Sequence, residues 1–83
     1  MNVLAVDDQI NVLNGLMVGV QWKKLGIDQV YKAGNAAEAK RILRACTVDI
    51  LMSDIEMPGE SGLQLLEWVR NEQMDIACIF LTA

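Results

Sequence analysis

The stretch Asp49-Ile50-Leu51-Met52-Ser53-Asp54-Ile55-Glu56-Met57-Pro58-Gly59-Glu60-Ser61-Gly62 decides how the chain folds. Its apolar run has no regular polar alternation and closes on a carboxylate, which is the pattern of a strand buried on both faces. Pro58-Gly59 then breaks the chain into a loop running from Ile55 to Gly62. Ser61, with Gln64 three residues on, makes a capping-box pattern and predicts a helix over roughly Gly62 to Asn71, with Leu65, Leu66 and Val69 toward the core. Strand, loop and helix in that order are half of a parallel crossover unit.

The same alternation continues on both sides. Upstream, Gly34-Asn35 opens a helix that Asn35 caps, with Glu38 expected to close a capping box and Ala39, Ile42, Leu43 and Cys46 on the buried face. Before it, Val30-Tyr31-Lys32-Ala33 reads as a short edge strand. From about Ile10 to Lys24, Ile10, Leu13, Met17 and Val20 recur at helical spacing, with Leu16 and Trp22 widening the stripe and Gly26 placed to end the helix. Val3-Leu4-Ala5-Val6 and Ile76 to Leu81 are further apolar strands. The order β-α-β-α-β-α-β, with right-handed crossovers, predicts a parallel α/β sheet with helices on both faces.

Composition fits one globular domain. Of 83 residues 53% are apolar and 22% charged, with one proline and six glycines, which excludes disordered, collagen-like and proline-rich classes. No apolar run nears the roughly 18 residues of a membrane span, and Asp7-Asp8 interrupts any signal-peptide core. Cys46 and Cys78 lack metal-ligand spacing and predict buried, reduced thiols of a cytoplasmic protein. The net charge of −4 disfavours a nucleic-acid surface. Residues 1–42 hold five basic and four acidic side chains, residues 43–83 two and seven. The chain has no histidine, so it can supply neither a histidine base nor a phosphohistidine.

Three strands end on polar residues: Asp7-Asp8, Asp54 and Thr82. In a parallel sheet these converge at the carboxyl ends of the strands, where open α/β sheets place their sites. Taken singly, each is more often a cap or turn residue. Together they put three carboxylates in one crevice, where they repel one another unless a hard cation joins them. Mg²⁺, which prefers oxygen ligands, suits such a set. A carboxylate beside it can act as a nucleophile toward a phosphoryl group.

Val6-Asp7-Asp8, the segment Ser53 to Gly62 with its Met57-Pro58-Gly59 turn, and Leu81-Thr82-Ala83 together resemble the receiver domain of two-component response regulators. The resemblance implies a flavodoxin-like doubly wound sheet of order 2-1-3-4, with strand 5 missing. Residues 1–83 would then be the first two thirds of a receiver. It implies that Asp54 accepts a phosphoryl group from a sensor histidine kinase and that Asp8 and Asp54 bind Mg²⁺ directly. Asp7 would complete the pocket, the main-chain carbonyl of Glu56 would add a ligand, and Thr82 would be the switch hydroxyl. Gln9 stands where many relatives carry an acid. Trp22 with Leu25-Gly26 is similar to receivers joined to AraC-type DNA-binding domains, so the implied output is transcription regulation through a downstream domain.

The family's fifth strand carries a lysine that pairs with the phosphoryl group. Lys23, Lys24, Lys32 and Lys40 all fall on the first two helices or the edge strand and are not expected to replace it. A receiver-shaped interaction module without phosphorylation is therefore the alternative. A phosphatase of the haloacid-dehalogenase type also uses a strand-end aspartate, but Asp54-Ile55-Glu56 has Glu where that pattern needs Asp. The chain is read as a regulatory domain and not an enzyme. Ile76 to Leu81, free of proline and charge, is expected to be an open edge covered by further chain or by a second copy.

Overall fold

In the computed structural model, which describes residues 1–81, the elements are β1 (Asn2–Val6), α1 (Ile10–Gly19), a 3-10 turn at Trp22–Leu25, β2 (Gln29–Ala33), α2 (Ala36–Ala45), β3 (Ile50–Asp54), α3 (Gly62–Asn71) and β4 (Ala77–Leu81). All strand pairs are parallel and the order is β2-β1-β3-β4. Consecutive parallel strands need helical crossovers, so α1, α2 and α3 lie over the sheet faces. Among the described residues no helix is long and apolar enough to cross a membrane.

The core lies mainly on the face covered by α2 and α3. Leu4 and Val6 of β1 and Leu51 of β3 meet Ala36, Ala39 and Leu43 of α2 and Leu65 and Val69 of α3. Met57 reaches into the same core from the loop after β3. Two cations of α2, Lys40 and Arg44, stand over the Trp68 ring of α3, at 5.5 and 5.1 Å from its centroid. They hold the outer rim of the two helices together through cation–π attraction.

The opposite face is less covered, and here several expectations change. The α1 helix stops at Gly19. Val20 is extended, and the chain then makes a separate 3-10 turn that Gly26 ends in a left-handed conformation (φ 81). Gly15, Val18 and Gly19 are poor helix formers, so the Ile10-to-Lys24 pattern does not hold as one helix. Of the expected stripe only Leu13 is fully buried, and Ile10 is 62% exposed. Leu16, Val20 and Trp22 instead line an apolar cavity of about 390 Å³ over Val3, Ile50, Met52 and Ile79. Consequently β3 alternates: Leu51 and Ser53 are buried, whereas Ile50 and Met52 are half-buried. Cys46 and Cys78 are free thiols, half-buried where full burial was expected. Burial pushes the Cys78 thiol above its ordinary pKa.

Because the α2–α3 face is the packed one, its central side chains set stability. Leu65, with no exposed surface, and Leu63, which is 56% exposed, are two residues apart on α3. In the full-length protein Leu65→Ala is expected to lower unfolding free energy by about 2–5 kcal/mol. Leu63→Ala should change it by about 0.5 kcal/mol or less. Urea denaturation midpoints at unchanged slope check the pair.

Candidate functional site: a carboxylate cluster at the strand ends

The registers bring the acidic residues together. Val6 of β1 lies beside Ser53 of β3 and beside Ala33 of β2, so the residues that follow Val6 and Ser53 emerge at one edge. The Asp7 N–H donates to the Ala33 carbonyl at 3.1 Å, carrying the β1–β2 ladder one residue past the strand. Asp7 is buried, and its Oδ1 accepts the Gln9 N–H at 2.9 Å. This Asx-type turn ends the strand and sets the start of α1. Asp8, between them, is exposed.

Asp54 is the last residue of β3 and is half-buried. Its Oδ1 accepts the Glu56 N–H at 3.2 Å. One carboxylate oxygen from each of Asp7, Asp8 and Asp54 lies within 4.8 Å of the others. The loop behind them is anchored at several points. The Gly62 N–H donates to the Ile55 carbonyl at 2.9 Å. Ser61 and Gln64 form the complete capping box, the hydroxyl accepting from Gln64 N and the Gln64 side chain accepting from Ser61 N. Lys40 of α2 pairs with Glu60 at 2.8 Å.

On α2, Asn35 accepts the Glu38 N–H at 2.8 Å as expected. Glu38, however, reaches past the cap to the Gly34 N–H at 3.0 Å, so the capping box does not close there. That contact orders the loop at the rim of a cavity of about 220 Å³ lined by Asp7, Asp8, Lys32, Ala33, Gly34 and Glu38, with Ile10 and Leu13 as its apolar wall.

Of the residues singled out in the sequence, Asp7, Asp8 and Asp54 are brought together. Glu56 sits in the adjoining loop with its side chain exposed, so only its main chain bears on the cluster. Thr82 lies outside the described residues. Sequence reasoning missed the Lys40–Glu60 pair and its stacking on Trp68, since the partners are far apart in the chain. It also set Lys32 aside, although this residue lines the cavity beside Asp7 and Asp8.

The cluster has the donor chemistry of a hard-cation site: three carboxylates, within bridging distance of one another, at one end of a rigid sheet. Among the described residues the two ion pairs, Met1 amino group to Asp28 and Lys40 to Glu60, lie elsewhere. Among the described residues none of the three aspartates forms an ion pair, and Mg²⁺ fits the donor set that is present.

The family model for the response regulator receiver domain matches residues 3–83. This chain belongs to that family. An uncharacterized transcriptional regulatory protein, YesN of Bacillus subtilis, is 30% identical over 80 residues, which are 96% of this chain and 22% of YesN. Transcriptional regulatory protein NatR of the same organism is 34% identical over 56 residues, 68% of this chain and 24% of NatR. The receiver thus spans under a quarter of these relatives' length. Among solved structures, an AraC two-component transcriptional regulator from Clostridium phytofermentans superposes with a TM-score of 0.92 at 28% identity, covering 100% of this chain and 67% of that one. The MaeR response regulator bound to beryllium trifluoride gives 0.85 at 25% identity, with the same coverage. The sheet order is that of the flavodoxin-like receiver fold, present here as four strands and three helices.

Mutual repulsion among the carboxylates predicts a measurable strain. In the absence of divalent cations, Asp8→Asn should stabilise the folded protein by up to about 1 kcal/mol, the scale of exposed charge interactions. Thermal unfolding in chelator, at low and high salt, checks this. The gain should shrink as salt screens the cluster.

Proposed function

We propose that this receiver accepts a phosphoryl group on Asp54 from the phosphohistidine of a sensor histidine kinase, in the cytoplasm, and thereby switches a transcriptional output. The observation that carries the reading is the convergence of the Asp7, Asp8 and Asp54 carboxylates within 4.8 Å at the carboxyl ends of β1 and β3. The missing histidine fits an acceptor whose donor is another protein. The relatives described as transcriptional regulators support the nature of the output, which belongs to a domain outside these residues.

Asp54 is the nucleophile. Its Oδ1 is engaged by the Glu56 N–H, which leaves Oδ2 free to attack phosphorus. The P–N bond of the phosphoimidazole breaks as the new P–O bond forms, and the electron pair stays on the ring nitrogen. Asp8 and Asp54 would hold Mg²⁺ directly, with Asp7 acting through a water and Glu56 through its main-chain carbonyl. When bound, the ion offsets the negative charge gathered between the aspartates and the transferring phosphoryl oxygens. Asp7 is held in place by the Ala33 carbonyl and the Gln9 N–H. The acyl phosphate formed is a signal and not a turnover intermediate, so the domain acts as a regulatory element and not as an enzyme.

In the full-length protein, Asp54→Asn should abolish acid-labile phosphate incorporation from acetyl phosphate, and Asp8→Ala should weaken Mg²⁺ binding at least roughly tenfold by deleting a ligand. Undiminished labelling of Asp54→Asn would sink the assignment. A wild-type protein that takes up no phosphate would favour the alternative, a receiver-shaped interaction module.

The family resemblance assigns Thr82 the coupling step. A hydroxyl can hydrogen-bond a phosphoryl oxygen, and valine keeps its shape without that bond. Thr82→Val is expected to label like wild type while losing most of the transcriptional response. A reporter assay run alongside phosphate incorporation separates the two effects.

A further inference from the structure

The start of α3 meets the end of β3 more closely than any side chain would allow. A Cβ placed on Gly62 would fall on the Asp54 carbonyl oxygen, well inside van der Waals contact. It would also lie 3.1 Å from both the Asp54 carbonyl carbon and the Ile55 Cα. These are main-chain atoms, which cannot swing aside as a flexible side chain could. The same residue donates its N–H to the Ile55 carbonyl at 2.9 Å. The helix N-terminus is thus pressed against the one peptide unit that joins Asp54 to the loop.

We propose that Gly62 is a positioning residue for the acidic site: its bare Cα lets α3 brace the Asp54–Ile55 peptide and so fixes the direction of the Asp54 carboxylate and the path to Glu56. The inference deepens the phosphoacceptor reading and rests on it for the identity of the ligand. Geometry gives the link. Any side chain at 62 pushes the Asp54–Ile55 peptide away from α3. That peptide lies between the Asp54 side chain and the Glu56 N–H that holds Asp54 Oδ1 at 3.2 Å. It also precedes the Glu56 carbonyl, so two of the groups assigned to Mg²⁺ move together.

The brace itself is rigid. The Ser61–Gln64 capping box fixes the first turn of α3, while Leu65 and Val69 seat the helix in the core. Met57 holds the middle of the loop in the same core. With both ends held, the strain of a larger residue has one place to go, which is the Asp54 end. Gly59 offers the contrast. It has a left-handed φ of 79, yet a Cβ there would meet nothing within 4 Å. Its need for glycine is local to the turn and does not reach Asp54.

The test is a Mg²⁺ titration of the full-length protein, followed by NMR at the Asp54 and Glu56 amides, alongside thermal unfolding. Gly62→Ala is expected to weaken Mg²⁺ binding by roughly tenfold or more, the usual effect of removing support behind a metal ligand. Val69→Ala, a core truncation on the same helix, should lower the melting temperature at least as much yet leave Mg²⁺ affinity within about twofold, because it touches no ligand. If Gly62→Ala binds Mg²⁺ like wild type, or if Val69→Ala loses affinity equally, the positioning role is overturned. Should Gly62→Ala not fold, Ser61→Ala decides, since it loosens the first turn of α3 while keeping the core contacts. A loss of about threefold or more there supports the brace, and wild-type affinity refutes it. Wild-type protein that binds no Mg²⁺ at these amides would instead overturn the phosphoacceptor reading on which the brace depends.

Discussion

Parallel pairing of β1 with both β2 and β3 is the constraint on which the site depends. Val6 lies level with Ala33 on one side and Ser53 on the other, so the chain leaves β1 and β3 at the same height. A slip of one residue in β3 would turn Leu51 and Ser53 out of the α2–α3 core and move Asp54 to the wrong face. The core forbids that slip, because Leu51 is buried in the cluster that also holds Leu65 and Val69, whereas Ile50 and Met52 line the thinner side. The placement of the carboxylates is therefore enforced by apolar packing at a distance, and no attraction among them is needed. None could exist, since they repel.

What the register does not control is the loop from Ile55 to Ser61, and that loop is tied down by unlike means. Met57 is held by burial, Gly62 by close approach and a main-chain hydrogen bond, and Ser61 by reciprocal capping. Glu60 is held by Lys40, which also leans on Trp68. The ion pair is partly exposed and contributes little alone, about 1 kcal/mol or less. Its value is directional, because it links the loop to α2 while the capping box links it to α3. A loop secured to two helices gives the last residue of β3 a fixed exit.

Most of this arrangement was legible in the residues. Element order, the parallel sheet and the span of α3 followed from apolar runs, Pro58-Gly59 and the Ser61–Gln64 cap, all local signals. The three converging aspartates followed from the same reasoning plus one topological rule. What failed had causes that these patterns do not carry. Ile10 and Met17 carry helical spacing but face solvent, because Gly19 and extended Val20 end the helix before the stripe can pack. Glu38 bonds Gly34 in place of Asn35, a choice of one peptide over its neighbour that a capping pattern does not determine. The brace at Gly62 was visible only as a glycine at a helix start. Its reason is the Asp54 carbonyl, which lies on another element.

The distribution of charge completes the logic. A buried polar group needs hydrogen bonds, and a buried charge needs a partner as well. At this site the first need is met within the chain, since Asp7 accepts from Gln9 and Asp54 from Glu56. Among the described residues no ion pair meets the second. Lys40 and Arg44, the cations nearest the helical rim, are committed to Glu60 and Trp68, not to the aspartates. The result is a set of carboxylates that are geometrically settled and electrostatically unsettled. Such a site gains stability from a cation that binds only the folded form, by mass action. Packing on the α2–α3 face carries the fold, so the strand ends can hold three like charges that contribute nothing to the core.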